Sequence, residues 1–324
     1  MDLSVIIVSY NEAEYIMEAI DSCLSQNFNG EFEIIIGDDG STDNTIDIIL
    51  SYEKRFPNIT HFVMDRDENE LIIPSKRVSN IIKRGMAIAK GKYFVCLSGD
   101  DYFCDSKFQK QYDFLENKNN KKYAAIFSDY KRTFEDKTEM IIHLSNRPYK
   151  SIFVSGIYVH ISCFMFRKEV YLNNLLLDRY CDDVGLIFSI LRLGKIKYDK
   201  ECSFAYRQRT NSIMHNADIL ELDILEISLM QELYNAKCFR FSSLSRFHLP
   251  LKNIYKNRNN LDQERYRKYI IDNSKYDNDF ISYFRNWDNL KSRIKCILLI
   301  FLSTFSKDCF KIIRKIDRFF FRLR

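Results

Sequence analysis

The sequence lacks several features that mark particular classes of protein. Its nine cysteines are scattered singly, without a CxxC pair, and several lie in apolar runs. This pattern is typical of reduced, buried thiols in a cytosol rather than of a disulfide framework. No run approaches the roughly 18 apolar residues that a membrane-spanning helix requires, and the first residues lack the basic region of a signal peptide. With 324 residues, of which 46% are hydrophobic, we expect a cytoplasmic globular protein.

Positive charge is concentrated at the end of the chain. Residues 290–324 have a net charge of +8, whereas the remaining residues have a net charge of −3. Apolar residues recur in this tail at intervals of three and four, which predicts an amphipathic helix with basic residues around it. Such a helix either packs on protein or lies on an anionic membrane surface. We expect no nucleic acid partner, because no reader motif accompanies the basic residues.

Short apolar runs alternate with amphipathic stretches through the first half of the chain. The predicted strands are Ser4–Val8, Phe32–Ile36, Ile59–Met64 and Tyr93–Leu97. Helices are predicted between and after them, including Asn44–Phe56, Val78–Ala89 and Asp105–Asn117. This alternation predicts an α/β fold with a doubly wound, mostly parallel sheet. Residues 195–207 form a further candidate strand, and the pattern from about residue 216 onward is helical.

Three polar segments directly follow predicted strands. They read SYNE at 9–12, DDGST at 38–42 and SGDD at 98–101. Because ligands bind at the carboxyl ends of the strands in parallel sheets, we expect these segments to converge on one rim.

The first two acidic clusters each allow a structural and a functional interpretation. Residues 38–43 suit a tight turn with a helix cap, or a carboxylate that binds a nucleotide base or ribose. A phosphohydrolase of the DxDGT type would need an acid where this chain has Gly37. The pair Asp100 and Asp101 suits a turn or helix start, or the binding of Mg²⁺ or Mn²⁺ together with substrate phosphates.

Two later segments are equally ambiguous on their own. Asp182 and Asp183 open an apolar helix, where they would serve as caps or supply a general base. Arg207 and Arg209 lie in a polar segment, where they would be exposed or would bind a diphosphate leaving group.

The ordered set of motifs resembles the family 2 inverting glycosyltransferases with a GT-A fold. The matching segments are SVIIVSYNEAEYI, IIIGDDGSTDNT and AKGKYFVCLSGDDYFCDSKFQKQYDFL, and the resemblance runs from residue 4 to about 215. It implies a GT-A catalytic domain over 1–215. The sequence pattern beyond it predicts a helical acceptor-side region over 216–289 and the basic tail over 290–324.

The resemblance also implies a role for each matching residue. Ser9 and Tyr10 would line the nucleoside, and Asp39 would bind the base. The other implied nucleotide-sugar ligands are Arg77, Asp100, Arg207 and Arg209. Asp101, with Asp100, would hold Mn²⁺ or Mg²⁺, and Asp183 would be the catalytic base. The chain departs from the family in having Ser98 where many members have an acid, and Asp182 where many have Glu.

The expected activity is inverting transfer of a sugar from a nucleoside diphosphate, with UDP favoured, to a glycan or lipid-linked acceptor. Such an enzyme would build bacterial surface polysaccharide or glycolipid at the inner face of the cell membrane. One alternative is a catalytically silent nucleotide-sugar-binding scaffold tethered by its tail. A metal-dependent nucleotidyltransferase is disfavoured, because SYNEAEYI offers no triphosphate-binding loop.

Overall fold

The structure is a computed structural model that describes residues 1–65, 74–144, 160–172, 190, 193–209, 254 and 256. Residues 1–148 and 159–215 form one compact unit. Apart from residues 254 and 256, all the described residues belong to that unit. The predicted division of the chain at residues 215 and 289 stays a prediction.

Nine strands and five α-helices are described in this unit. The strands are β1 (Leu3–Ser9), β2 (Phe32–Asp38), β3 (Ile59–Val63), β4 (Tyr93–Ser98), β5 (Tyr102–Phe103), β6 (Tyr123–Thr133), β7 (Glu139–Ile142), β8 (Phe164–Arg167) and β9 (Lys195–Arg207). The helices are α1 (Ile16–Leu24), α2 (Thr45–Arg55), α3 (Pro74–Ile88), α4 (Lys107–Glu116) and α5 (Lys168–Leu172), with 3₁₀ turns at Lys118–Asn120 and Ile161–Cys163.

All nine strands belong to one sheet. Its order is β3-β2-β1-β4-β8-β6-β9-β5, and β7 pairs with β6 outside this path. The first four strands in this order are parallel, as are β6 and β9. The strands β5, β7 and β8 pair in the antiparallel sense. The sheet therefore has a parallel half and a mixed half.

The position of each strand in the sheet explains its hydrophobic pattern. The inner strands β1, β2 and β4 are buried along almost their whole length, as expected for strands covered on both faces. The edge strand β3 has only two buried residues, Ile59 and Phe62. Gly37 in β2 lies beneath α3, where an added Cβ would come within 2.3 Å of Ile81. The residue that argues against a phosphohydrolase motif therefore also allows helix α3 to pack on the sheet.

The predicted fold class is confirmed, and the four predicted strands and their helices are present. The candidate strand over residues 195–207 is β9, whereas β5, β6, β7 and β8 were not predicted. Of the described helices, none is long and apolar enough to cross a membrane. The predicted helical region after residue 216 and the basic tail lie outside the described residues, except for positions 254 and 256.

Candidate functional site

The polar segments after β1, β2 and β4 meet at one edge of the sheet. Ser9 pairs with Asp38 in the parallel ladder, and Val8 pairs with Ser98 on the other side of β1. The backbone N–H of Asp39 donates to the carbonyl of Ser9 at 2.9 Å. The carboxyl ends of three neighbouring strands thus bring the three segments together, as parallel pairing requires.

Gly99 permits the close approach between two of these segments. Its N–H donates to the carbonyl of Val8 at 2.7 Å. An added Cβ would lie 3.2 Å from that carbonyl oxygen and 3.3 Å from the Glu12 side chain. A larger residue would therefore require these neighbouring atoms to shift by a few tenths of an ångström.

The adjacent aspartates 38 and 39 have different surroundings. Asp38 is fully buried and accepts hydrogen bonds from the backbone N–H and the hydroxyl of Ser41, both at 2.6 Å. It therefore holds the turn. Asp39 is 7% exposed, and the guanidinium of Arg77 on α3 lies 3.5 Å from its carboxylate. Of the two carboxylates, Asp39 is the one that contacts helix α3.

The segment after β1 is bound to this turn by its own polar groups. Asn11 has a φ of 53°, and its side chain accepts a hydrogen bond from the N–H of Thr42 at 2.8 Å. Tyr10, a predicted nucleoside contact, is partly exposed in the same segment. The hydroxyl of Ser9 is buried and has no hydrogen-bond partner among the described residues. An unsatisfied hydroxyl at a strand end is available for a ligand.

The predicted metal and diphosphate residues lie within hydrogen-bond distance of one another. Asp101 is 3% exposed, and its carboxylate accepts a hydrogen bond from the backbone N–H of Arg207 at 2.8 Å. The guanidinium of Arg207 donates to the carbonyl of Asp100 at 2.9 Å. Arg209 pairs with the Asp100 carboxylate at 2.6 Å. The end of β9 thus carries two guanidinium groups onto the acidic turn after β4.

Glu12 completes the cluster, although its role was not predicted from the sequence. One carboxylate oxygen accepts a hydrogen bond from Arg209 at 2.8 Å, while the other is buried without a partner among the described residues. The pKa of Glu12 is raised to about 8, mainly by burial and next by the charge of Asp100, while Arg209 opposes both effects. The available signal was position alone, because Glu12 follows a strand that ends at the predicted rim.

Burial also raises the pKa of Asp101 well above its usual value. The neighbouring charge of Asp100 acts in the same direction, while the backbone N–H and the guanidinium of Arg207 oppose it. Crowded, buried carboxyls therefore repel each other at this turn, and an added cation would relieve that repulsion.

The donor set fits a divalent cation that is shared with a substrate. The part of the chain that is described contains no group of three His, Cys, Asp or Glu side chains able to hold a metal by itself. Mg²⁺ and Mn²⁺ are commonly held by one or two carboxylates and substrate phosphates. Asp100 and Asp101 would supply that part of the coordination.

Two tyrosines contact the guanidinium groups. The Arg207 guanidinium carbon lies 4.7 Å from the ring centroid of Tyr15 and 5.7 Å from that of Tyr102. The Arg209 guanidinium carbon lies 4.9 Å from the Tyr15 centroid. Arg207 also pairs with Glu18 on α1. Tyr15 was not predicted, since a single tyrosine before a helix carries no distinct sequence signal.

Most of the predicted site residues are therefore brought together. Ser9, Asp39, Asp100, Asp101, Arg207 and Arg209 lie at the rim, and Arg77 reaches it from α3 through Asp39. The predicted catalytic base, Asp183, lies outside the described residues, as does Asp182. The roles given to all these residues stay predictions.

The family model described as Glycosyl transferase family 2 matches residues 4–174. The chain belongs to this family. TuaG of Bacillus subtilis (strain 168), whose name assigns it to teichuronic acid biosynthesis, is 28% identical over 218 residues, which are 66% of this chain and 82% of TuaG. Other curated relatives match a similar share of this chain. The match covers 61% or 69% of their own length.

Solved structures support the GT-A fold of this family 2 chain. The crystal structure of S. aureus TarS 1–349 in complex with UDP-GlcNAc aligns with a TM-score of 0.56 and 16% identity, covering 98% of this chain and 92% of that one. The mannosyltransferase PcManGT from Pyrobaculum calidifontis, in complex with GDP-Man and Mn²⁺, aligns with a TM-score of 0.51 and 13% identity, covering 98% and 87%. At such identities the likeness concerns the fold alone.

Proposed function

We propose that this family 2 glycosyltransferase moves a sugar from a nucleoside diphosphate, preferably UDP, to a glycan or lipid-linked acceptor, with inversion at the anomeric carbon. The main support is the convergence of Asp39, Asp100 and Asp101 with Arg207 and Arg209 at the rim of the sheet. A role in bacterial surface polysaccharide synthesis is supported by the name of its relative TuaG. The UDP-GlcNAc in the TarS complex supports the choice of UDP.

In this proposal, the rim residues bind the donor and offset the charge of its leaving group. Asp39 and the hydroxyl of Ser9 would contact the nucleoside. A divalent cation, when bound by Asp100 and Asp101, would neutralise charge on the diphosphate. Arg207 and Arg209 supply positive charge to the same group as its bond to the sugar breaks.

The acceptor hydroxyl must lose a proton as it attacks. The resemblance to the family assigns this step to Asp183, whose carboxylate would accept the proton. Attack from the face opposite the leaving group inverts the anomeric configuration in a single displacement. This step requires no covalent intermediate with the enzyme.

Calorimetric titration of the full chain with UDP, GDP and dTDP, with and without Mn²⁺, tests the donor site. We expect metal-dependent binding of one nucleotide, weakened at least tenfold in Asp101→Asn, which keeps the size of the side chain but removes its charge. Asp105→Ala, which removes an exposed carboxylate nearby, should bind like the wild type. Absence of nucleotide binding in folded wild-type protein would contradict the proposal.

A second candidate function is a nucleotide-sugar-binding protein without turnover. Two observations favour it: Ser98 stands where many family members have an acid, and Arg209 already pairs with the Asp100 carboxylate. Hydrolysis or transfer of a bound donor separates the two functions. Turnover that Asp183→Asn abolishes, with nucleotide affinity retained, supports the transferase; binding without any turnover supports the alternative.

A further inference from the structure

A pair of cysteines joins β5 to β9, beyond the acidic turn. Cys104 directly follows β5, and its backbone N–H donates to the carbonyl of Ser203 in β9 at 3.1 Å. This bond extends the antiparallel ladder formed by Tyr102 with Ala205 and Phe103 with Phe204. The next residue of β9 is Cys202, whose thiol interacts electrostatically with that of Cys104 and lies 3.7 Å from the carbonyl oxygen of Phe204.

These two thiols are more accessible than the other described cysteines. Cys104 and Cys202 are partly exposed, whereas Cys23, Cys96 and Cys163 are buried. Buried thiols in apolar surroundings are inert, while partly exposed thiols near positive charge are reactive. The pair therefore satisfies the first requirement for reaction with a solute.

Two lysine side chains place positive charge beside the pair. The ammonium group of Lys107 is buried and donates to the carbonyl of Cys163 at 3.1 Å and the hydroxyl of Ser203 at 3.2 Å. No carboxylate among the described residues pairs with it. Its electrostatic neighbours are the thiols of Cys104, Cys163 and Cys202. A thiolate is therefore the available counter-charge for this buried cation.

The second lysine, Lys131, acts on the pair from β6. Its ammonium group pairs with Glu139 at 2.7 Å. The hydrogen bond from Cys104 lowers the pKa of Cys202 to about 7, and the charge of Lys131 contributes to that lowering. The same hydrogen bond raises the pKa of Cys104. Cys202 is therefore the group that forms the thiolate, and Cys104 is the thiol that donates to it. These are the properties of a nucleophilic cysteine and its resolving partner.

We propose that Cys104 and Cys202 form a reactive dithiol, which a low-molecular-weight disulfide oxidises reversibly to a covalent link between β5 and β9. The Cys202 thiolate attacks one sulfur of the reagent and releases one thiolate, leaving a mixed disulfide. Cys104 loses its proton and attacks the Cys202 sulfur, which releases the second thiolate. The protein gives up two electrons and two protons, and the reagent disulfide becomes two thiols.

The link would join the strand that follows Asp101 to the strand that ends at Arg207. In the reduced protein these strands are held by the ladder and by the bond from the Arg207 N–H to Asp101. Oxidation would fix their register covalently. The inference does not depend on the proposed function, because it concerns thiol chemistry alone.

Peptide mapping of the folded full chain tests the inference. The protein is equilibrated with oxidised glutathione, free thiols are alkylated, and tryptic peptides are analysed without reduction. We expect the peptide of residues 93–107 to be linked to that of residues 201–207, with loss of two hydrogen atoms and complete reversal by dithiothreitol. Alkylation of both Cys104 and Cys202 after oxidation, or linkage of either to another cysteine, would overturn the proposal.

Matched variants identify the reacting atoms. The peptide of residues 93–107 also contains Cys96, so Cys104→Ser must abolish the link, as must Cys202→Ser. Cys163→Ala, which removes the third neighbouring thiol, should leave the link intact. Lys131→Met should slow its formation roughly three- to tenfold near pH 7, because the thiolate fraction of Cys202 falls. A link that persists in Cys104→Ser, or an unchanged rate in Lys131→Met, would contradict the assigned chemistry.

Discussion

At the scale of single residues, the site buries more carboxyl groups than it has cations paired with them. Glu12, Asp100 and Asp101 are each less than 9% exposed, and burial raises the pKa of both Glu12 and Asp101. Arg209 bridges Glu12 and Asp100, so its guanidinium occupies carboxylate oxygens that a metal ion would need. A cation and Arg209 should therefore compete for the same carboxylates.

Replacing Arg209 by Gln tests this competition. Without nucleotide, we expect Mn²⁺ to bind roughly fivefold more tightly to Arg209→Gln than to the wild type, a difference of about 1 kcal/mol. Nucleotide affinity should fall, because a positive charge is lost. Calorimetric titration with Mn²⁺ alone measures the first effect. Arg84→Gln, on the exposed side of α3, controls for loss of an arginine, and equal Mn²⁺ affinity in all three proteins would refute the competition.

The sequence predicted the residue types at the site better than it predicted their individual roles. Neighbouring aspartates such as Asp38 and Asp39 look alike in sequence, and only their contacts show that Asp38 holds the turn. Glu12 was missed because its importance depends on Arg209, almost 200 residues later in the chain. Contacts over such separations leave no local pattern.

At the scale of secondary structure elements, local patterns predicted the parallel half of the sheet but only one strand of the mixed half, β9. The strands β1, β2 and β4 are continuous apolar runs because both their faces are buried. By contrast, β5 has two residues and β7 is largely exposed, so neither has a hydrophobic pattern of its own. Strand β5 pairs with β9, and β7 pairs with β6. These pairings form only when the whole sheet folds.

The start of α4 shows how the mixed half is held together. Lys107, the first residue of α4, is 2% exposed and connects the helix to Cys163 before β8 and to Ser203 in β9. Burial lowers its pKa from 10.5 to about 8. Between these two values the unfolded chain binds a proton that the folded chain has released. The contribution of Lys107 to stability therefore rises with pH across this window.

Replacing Lys107 by Met makes this effect measurable. The free energy of unfolding of the wild type, relative to Lys107→Met, should increase by about 2 kcal/mol between about pH 7 and pH 9.5. Urea denaturation followed by circular dichroism at both pH values gives the difference. Lys121→Met removes a positive charge from an exposed position and should show no such increase. A constant difference for Lys107→Met would mean that the buried ammonium group keeps its proton throughout.

At the scale of the whole molecule, the family and the fold are established, whereas the acceptor side remains a matter of prediction. The family model ends at residue 174, and sequence patterns after about residue 216 are helical without a specific motif. Acceptor choice is therefore not readable from local residues. The basic tail at residues 290–324 is the feature that suggests where the enzyme works, because its charge of +8 would attract anionic lipid headgroups.

Vesicle sedimentation tests the predicted membrane contact. The full chain should bind vesicles rich in anionic lipid and should be released as salt increases, since surface charge attraction is screened. Deletion of residues 290–324 should reduce this binding at least tenfold, while nucleotide affinity at the rim is retained. Vesicles of zwitterionic lipid alone should bind both proteins weakly, which separates charge attraction from apolar insertion. If the tail binds lipid, its removal must weaken binding to anionic vesicles. Equal binding of the full and shortened chains would therefore show that the tail packs on protein instead.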